Sequence, residues 1–144
     1  MNIWVNGCFD ILHTGHIDLL WYAKLYGMKD NMSFPEIMTE NRLYVGVDSD
    51  ERVKQLKGND RPINNIEHRV KLLSNLKMVD SVVIFHNEEE LRYYVKSFDI
   101  DYIVVGDQYK DKEVIGAEHA KYGVIYYPVD NRSSTNIIEK IKKI

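Results

Sequence analysis

One cysteine, Cys8, and three prolines are all that 144 residues hold of either type. A lone thiol can form no internal disulfide and no C-x-x-C metal site, which places the chain in a reducing compartment. Long apolar runs are also missing: nothing approaches the ~18 consecutive apolar residues of a membrane-spanning helix. The opening MNIWVNGCFDIL has no basic leader and no apolar stretch of the signal-peptide kind. The expectation is a cytoplasmic chain with no membrane partner. An excess of positive charge is absent too. With 19 Lys and Arg against 22 Asp and Glu, the net charge is −3. That excludes a nucleic-acid partner held by blanket phosphate neutralisation, yet leaves room for a local basic pocket.

What is present is globular in kind. Apolar residues make up 44% and charged residues 28%, and the length is that of one domain, read as residues 1–144. No repeat or low-complexity tract interrupts it. Short runs rich in Val, Ile and Tyr recur at Ile3 to Asn6, Leu43 to Val47, Ser81 to Phe85, Tyr102 to Val105 and Val124 to Tyr127. Each is continuous rather than alternating, the pattern of strands covered on both faces. Helical patterns lie between them, at Thr14 to Tyr26 (stopped by Gly27), Ile66 to Leu76, Glu88 to Ser97, Val114 to Tyr122 (closed by Gly123) and Thr135 to Lys143. Ser133, Ser134 or Thr135 can cap the last. Strand–helix alternation with short connections predicts an α/β fold, a single Rossmann-like doubly wound domain with a mainly parallel five-stranded sheet.

Two connections are long. Met28 to Asn41 separates the first helix from the second strand, and Lys54 to Pro62 is polar, basic and turn-rich, concentrating Lys54, Lys57 and Arg61. Long irregular connections are often functional or mobile.

The stretch Gly7-Cys8-Phe9-Asp10-Ile11-Leu12-His13-Thr14-Gly15-His16 carries the chemistry. It follows the first strand and opens the first helix, where open α/β sheets bind ligands. A helix N-terminus offers free N–H groups and a positive dipole end to phosphate. Gly7 and Gly15 allow close backbone approach. His13 and His16, three residues apart, share one face of a helical turn, and two imidazoles over a phosphate site can stabilise charge during phosphoryl rearrangement. His68, His86 and His119 show no such partnership.

This stretch resembles the G-x-F-D-x-x-H-x-G-H motif of the cytidylyltransferase-like nucleotidyltransferases. Four further segments resemble that family in the same order: QLKGNDRPINNIEHR (Gln55 to Arg69), VDSVV (Val79 to Val83), VGDQYK (Val105 to Lys110) and SSTNII (Ser133 to Ile138). Within it, the likeness is greatest to the D-glycero-β-D-manno-heptose 1-phosphate adenylyltransferases. The glycerol-3-phosphate cytidylyltransferases carry an Arg-Thr-Glu-Gly stretch before the serine–threonine pair, where this chain has Pro128-Val129-Asp130-Asn131 with Arg132 out of register.

The resemblance implies transfer of AMP from ATP, the nucleotide substrate, to a heptose-like sugar 1-phosphate, with release of pyrophosphate. Cytidylyl transfer to glycerol 3-phosphate or a similar polyol phosphate, guanylyl transfer to a heptose phosphate, and a non-catalytic nucleotide-binding module are the alternatives. It further implies that His13 and His16 contact the triphosphate and stabilise the transition state, while Lys57 holds phosphate from the basic loop. Phe9 and Asp10 would shape the nucleotide pocket, with Asp10 near Mg²⁺ or another divalent cation. Gly106, Asp107 and Tyr109 would lie along the nucleotide, Ser134 and Thr135 would offer donors to the β/γ-phosphates, and Arg69 would lean toward the site. Cys8 takes a variable position and is read as inert. A homodimer is implied as well. The Met28–Asn41 segment is extra to the family pattern, free to lid the site, to contact a second subunit or to do nothing catalytic. The bifunctional heptose enzymes carry a kinase domain besides, so here a separate kinase is expected to make the sugar 1-phosphate.

Overall fold

The computed structural model describes residues 1–144. Five parallel strands form one sheet in the order β3-β2-β1-β4-β5, with β1 spanning Asn2–Gly7, β2 Arg42–Asp48, β3 Ser81–Phe85, β4 Tyr102–Gly106 and β5 Gly123–Tyr127. The register runs Asn2 to Arg42 through Gly7 to Val47 between β1 and β2, with Ile3 opposite Tyr102 on the other side. Chain order reverses at β1, which has β2 on one flank and β4 on the other, so the crevice past the carboxyl end of β1 is a topological switch point. The expected α/β class and strand count are those observed.

Alternation along each strand builds two cores. Ile3, Val5, Leu43, Val45 and Val47 face one side, packed against α1 (Thr14–Lys24) and α4 (Ile66–Ser74) through Leu20, Ala23 and Leu73. Trp4 and Ile103 face the other, against Leu91 and Val95 of α5 (Glu88–Ser97). Trp4 is fully buried and donates its indole N–H to Asn6 Oδ1 at 2.9 Å. The ring lies over Gly46, where a Cβ would collide with it. Glycine in a central strand, normally unfavourable, is here the space that the indole occupies.

The helices differ from expectation at three places. The pattern at Val114 to Tyr122 predicts a helix, but the segment makes only a single 3₁₀ turn at Ala117–His119. Gly116 adopts φ +90°, in the left-handed region, and packs against Leu91 and Val95, which breaks the helical path. Val114, Ile115 and Ala120 still cover the second core, so the apolar spacing reports burial rather than helix. The Lys54 to Pro62 connection is half helical: α3 (Asp50–Lys57) runs through it, so Lys54 and Lys57 stand on a helix.

The Met28–Asn41 segment contains α2 (Phe34–Glu40), capped by the Ser33 hydroxyl, and none of it lines the crevice. It ends at the amino edge of the sheet, where the Met1 amine donates to Glu40 O and Asn41 Oδ1 at 3.1 Å. Fully buried Lys24 fixes this edge by donating to Asn41 O and Asp80 Oδ2, both at 2.6 Å. The segment sits at the opposite end of the strands from the crevice, so it is no lid. No helix is long and apolar enough to cross a membrane.

Placing a methyl at Gly46 forces Trp4 out of its packing. Gly46→Ala is expected to destabilise the fold by about 1–3 kcal/mol, the usual cost of overpacking a core, seen as a lower urea midpoint with unchanged slope.

Candidate active site

The crevice is a cleft of about 560 Å³, within the range of small-molecule sites. Its floor is the turn from β1 into α1. Phe9 takes φ +51°, uncommon for a bulky residue, and its ring is 4% exposed and lies 5.2 Å from that of His16. Asp10 is 1% exposed. One of its carboxylate oxygens accepts from Arg61 Nε and Ile63 N, the other from Asn64 N, all at 2.8 Å. Burial works against the charge, but the two backbone N–H groups and Arg61 outweigh it and hold the carboxyl below its usual range. Asp10 clamps the 61–64 loop to the floor with three of the four acceptor positions of its carboxylate. Elsewhere no group of three or more His, Cys, Asp or Glu side chains is placed to hold a metal.

His13 and His16 form the start of α1. His13 is the N-cap, and its Nδ1 accepts from Gly15 N at 3.0 Å; His16 Nδ1 accepts from His13 N at 3.3 Å. The pair is a capping box built from imidazoles instead of the usual hydroxyl and carboxylate. Because both Nδ1 atoms accept, each neutral ring carries its proton on Nε2. The rings stack with centroids 3.9 Å apart and both line the cleft, where neither Nε2–H has a partner within the chain. Gly15 makes this possible, since a Cβ there would lie 2.8 Å from the His13 ring. Burial and then the Arg132 charge lower the pKa of His13; burial, His13 and Lys57 push that of His16 down to about 4. At neutral pH two uncharged N–H donors face the cleft.

The opposite wall is the start of α6 (Ser134–Lys142). Ser133 is its cap, accepting from Asn136 N at 2.9 Å. Ser134 is 8% exposed; its hydroxyl donates to Ile11 O at 2.7 Å and receives Ile11 N at 3.1 Å, which fastens α6 to the β1–α1 turn. Thr135 Oγ1 accepts from Arg61 Nη1 at 3.4 Å, and Arg61 Nη2 is buried with no partner in the chain. Arg132 donates to Thr14 Oγ1 at 2.8 Å and pairs with Asp18 and Asp130. Two helix N-termini thus converge on one space, a double anion-binding arrangement.

Of the residues expected in a site, His13, His16, Lys57, Gly7, Phe9 and Asp10 line this cleft. So do Gly15, Gly106, Tyr109, Ser134 and Thr135. Two do not. Arg69 is fully buried and donates to Cys8 O at 2.9 Å, Asp48 O at 2.7 Å, Asn64 O at 3.0 Å and Asp50 Oδ1 at 2.7 Å. Its expected contact with nucleotide is corrected: the guanidinium is used up in joining the ends of β1 and β2 to the 61–64 loop. Asp107 lies outside the lining and accepts from Val129 N at 3.3 Å, bracing the loop after β5. Burial pushes the Cys8 thiol up despite Lys57 and Arg69, so it is no thiolate.

Sequence reasoning missed Asp48, Arg52 and Arg132 in the lining. Arg132 had no motif position, and Asp48 and Arg52 share a site only because the strand-to-helix turn brings them together. Leu91, Val104, Val114 and Ile115 give the lining an apolar part on the β4 side.

Comparison with known proteins agrees with this architecture. The cytidylyltransferase-like family matches residues 4–140. "Bifunctional protein HldE" of Campylobacter fetus subsp. fetus is 41% identical over 140 residues, covering 97% of this chain and 28% of that protein. The protein of the same name from a Nitratiruptor species is 43% identical over 141 residues, covering 97% and 27%. The chain therefore spans little more than a quarter of the length of these relatives. Among solved structures, the lipopolysaccharide core biosynthesis protein from Thermoplasma volcanium superposes with a TM-score of 0.65 at 25% identity, over 91% of this chain and 98% of that one. A protein with unknown function from Archaeoglobus fulgidus, at 17% identity and a TM-score of 0.63, shares the fold.

The lowered His16 pKa makes stability depend on pH. Its folded value of about 4 lies below the ordinary value of 6.5, so the neutral ring stabilises the fold above 6.5 and that contribution is lost as pH falls from 6.5 through 4. Gln at this position keeps the capping box without titrating. Between those limits the wild type is expected to lose up to about 3 kcal/mol relative to His16→Gln, measured by denaturant titration at each pH. Equal pH profiles for the two proteins would refute the buried neutral ring.

Proposed function

The chain belongs to the cytidylyltransferase-like family of nucleotidyltransferases, and from that membership we propose that it transfers AMP from ATP to a heptose-like sugar 1-phosphate and releases pyrophosphate. The observation that carries the reading is the stacked His13–His16 pair, with two free Nε2–H donors between the N-termini of α1 and α6. The choice of ATP and a heptose-like acceptor rests on the resemblance of the Gln55–Arg69 and Ser133–Ile138 segments to the heptose 1-phosphate adenylyltransferases.

An oxygen of the acceptor phosphate attacks the α-phosphorus of the triphosphate. The new phosphorus–oxygen bond forms as the bond to the bridging α–β oxygen breaks, and pyrophosphate departs with that electron pair. A phosphate monoester is already anionic near neutral pH, so no general base is needed. The task is to bring anions together and stabilise charge spread over the α-phosphate oxygens. His13 and His16 suit it because burial has removed their reorganisation cost: each presents a fixed N–H, with its Nδ1 tied to backbone. Thr14, Ser134 and Thr135 supply helix N-terminal N–H groups for the β- and γ-phosphates. Lys57, exposed at the end of α3, adds a mobile cation. The protein offers no carboxylate cage, so Mg²⁺ would enter as the counterion of the triphosphate, part of the substrate.

His16→Ala is expected to lower turnover by about 100- to 1,000-fold, the scale of losing one oriented charge-stabilising donor, with the fold retained by circular dichroism. Turnover is followed as pyrophosphate release in Mg²⁺ with ATP, CTP or GTP crossed against sugar 1-phosphates and glycerol 3-phosphate. Release with ATP and a heptose 1-phosphate supports the reading. Release with CTP and glycerol 3-phosphate, or with GTP, reassigns the substrate within the family. Unchanged turnover in His16→Ala would overturn the mechanism, and nucleotide binding without any turnover would leave a binding module.

A further inference from the structure

Arg52 is a cleft-lining cation with no task in the transfer mechanism above. It stands on α3, four residues beyond the end of β2. Nε donates to Asp48 Oδ1 at 2.7 Å, with the two side chains 16% and 11% exposed. The guanidinium carbon lies 5.4 Å from the centre of the Phe85 ring. These contacts fix the group but use one of its five N–H donors. The four on Nη1 and Nη2 have no partner within the chain and are not sealed from the cleft.

The pair bridges the end of β2 and the first turn of α3 and leaves most of the guanidinium's donors free, so it is not arranged for stability alone. A guanidinium pinned at Nε against a carboxylate and a ring face has its remaining edge set in advance, the arrangement that grips a phosphate with two parallel hydrogen bonds. Its position within the cleft matters as much. α6, Gly106 and Tyr109 crowd the β4 and β5 side of β1, whereas Arg52 and Lys57 come from the β2 side. His13 and His16 stand between, at the end of β1. Two anions that must meet at these histidines therefore have separate approaches, and the β2 approach holds a cation with a free planar edge. Asp50 does not compete for it, being paired with buried Arg69 at 2.7 Å.

We infer that Arg52 is an acceptor-recognition residue whose Nη edge binds the phosphate monoester of the acceptor, with Asp48 as the positioning residue that orients it. This deepens the nucleotidyl-transfer reading and rests on it. The acceptor class is then a compound whose phosphate is itself the nucleophile, held on the β2 side, and an unphosphorylated sugar would lack the group that Arg52 grips.

The test is calorimetry on the full chain saturated with α,β-methylene ATP, which occupies the triphosphate side. Inorganic phosphate, α-D-mannose 1-phosphate and mannose are titrated into wild type, Arg52→Met and Arg52→Lys. Arg52→Met keeps the apolar stem, and its thermal midpoint checks folding; Arg52→Lys keeps the charge without the fork. Both phosphates are expected to bind the wild type and mannose is not. Arg52→Met weakens phosphate binding by about tenfold or more, the scale of one lost charge-assisted hydrogen bond, and Arg52→Lys recovers part of it. Affinity for the ATP analogue stays within about twofold, as for sites without shared partners. Equal phosphate affinity in wild type and Arg52→Met, no phosphate binding by the wild type, or loss of analogue binding in Arg52→Met would each overturn the assignment; the last would make Arg52 a triphosphate ligand. Tighter binding of mannose 1-phosphate than of inorganic phosphate supports an ester as the ligand, while binding of inorganic phosphate alone overturns the acceptor role. A wild type that binds no ATP analogue fails at the nucleotidyltransferase reading itself.

Discussion

A helix must satisfy the N–H groups of its first turn, and at α1 this protein meets that demand with imidazole nitrogen. The same hydrogen bonds that cap the helix fix which nitrogen of His13 and His16 keeps the proton, and so which atoms are left to meet a ligand. Ser or Asp at the cap would stabilise the helix equally well and leave no N–H to offer. Capping thus uses one edge of each ring and leaves the opposite edge free for the charge stabilisation of the proposed transfer. The stack at 3.9 Å disfavours charging both rings, because two imidazolium rings that close would repel in a partly buried site. Burial therefore tunes the chemistry along with the packing.

The rest of the site is held in place by buried charge. Asp10 draws the 61–64 loop onto the floor, and Arg69, fully buried, joins the carbonyls of Cys8, Asp48 and Asn64. Charges so deep are costly unless they are paired and hydrogen-bonded, and Asp10 and Arg69 both are. The turn after β1, the end of β2 and the 61–64 loop are tied together as a result. Placement within a fraction of an ångström matters where catalysis is mostly positioning. A net charge of −3 coexists with this site because Arg52, Lys57 and Arg132 line the cleft beside two helix N-termini.

The cleft also divides its labour along the sheet. Strand order places the β4–β5 side, with apolar surface and the start of α6, apart from the β2 side, with Arg52 and Lys57. Strands adjacent in space but distant in sequence bring the two halves to the histidines at β1. The extra segment around α2 takes no part, since it is anchored by Lys24 and Asn41 at the far end of the strands.

The amino-acid sequence by itself determined the order of the five strands along the chain, the parallel sheet and the turn that carries the histidines. Those depend on local periodicity and on glycines at a strand-to-helix junction, which are readable along the chain. It also marked eleven of the residues that line the cleft, because short motifs gather glycines and polar groups at the strand ends and helix starts. What it misjudged was set by contacts across the fold. Val114 to Tyr122 has helical spacing, but Gly116 packed on Leu91 and Val95 turns it into a loop. Arg69 looks like a ligand-binding charge in a one-dimensional reading; burial and the partners waiting for it make it a brace. Arg52 and Asp48 stand out only once β2 and α3 meet at the cleft. Residue type and spacing state what a side chain can do, whereas the tertiary structure decides which of its atoms are already spoken for and which are left free.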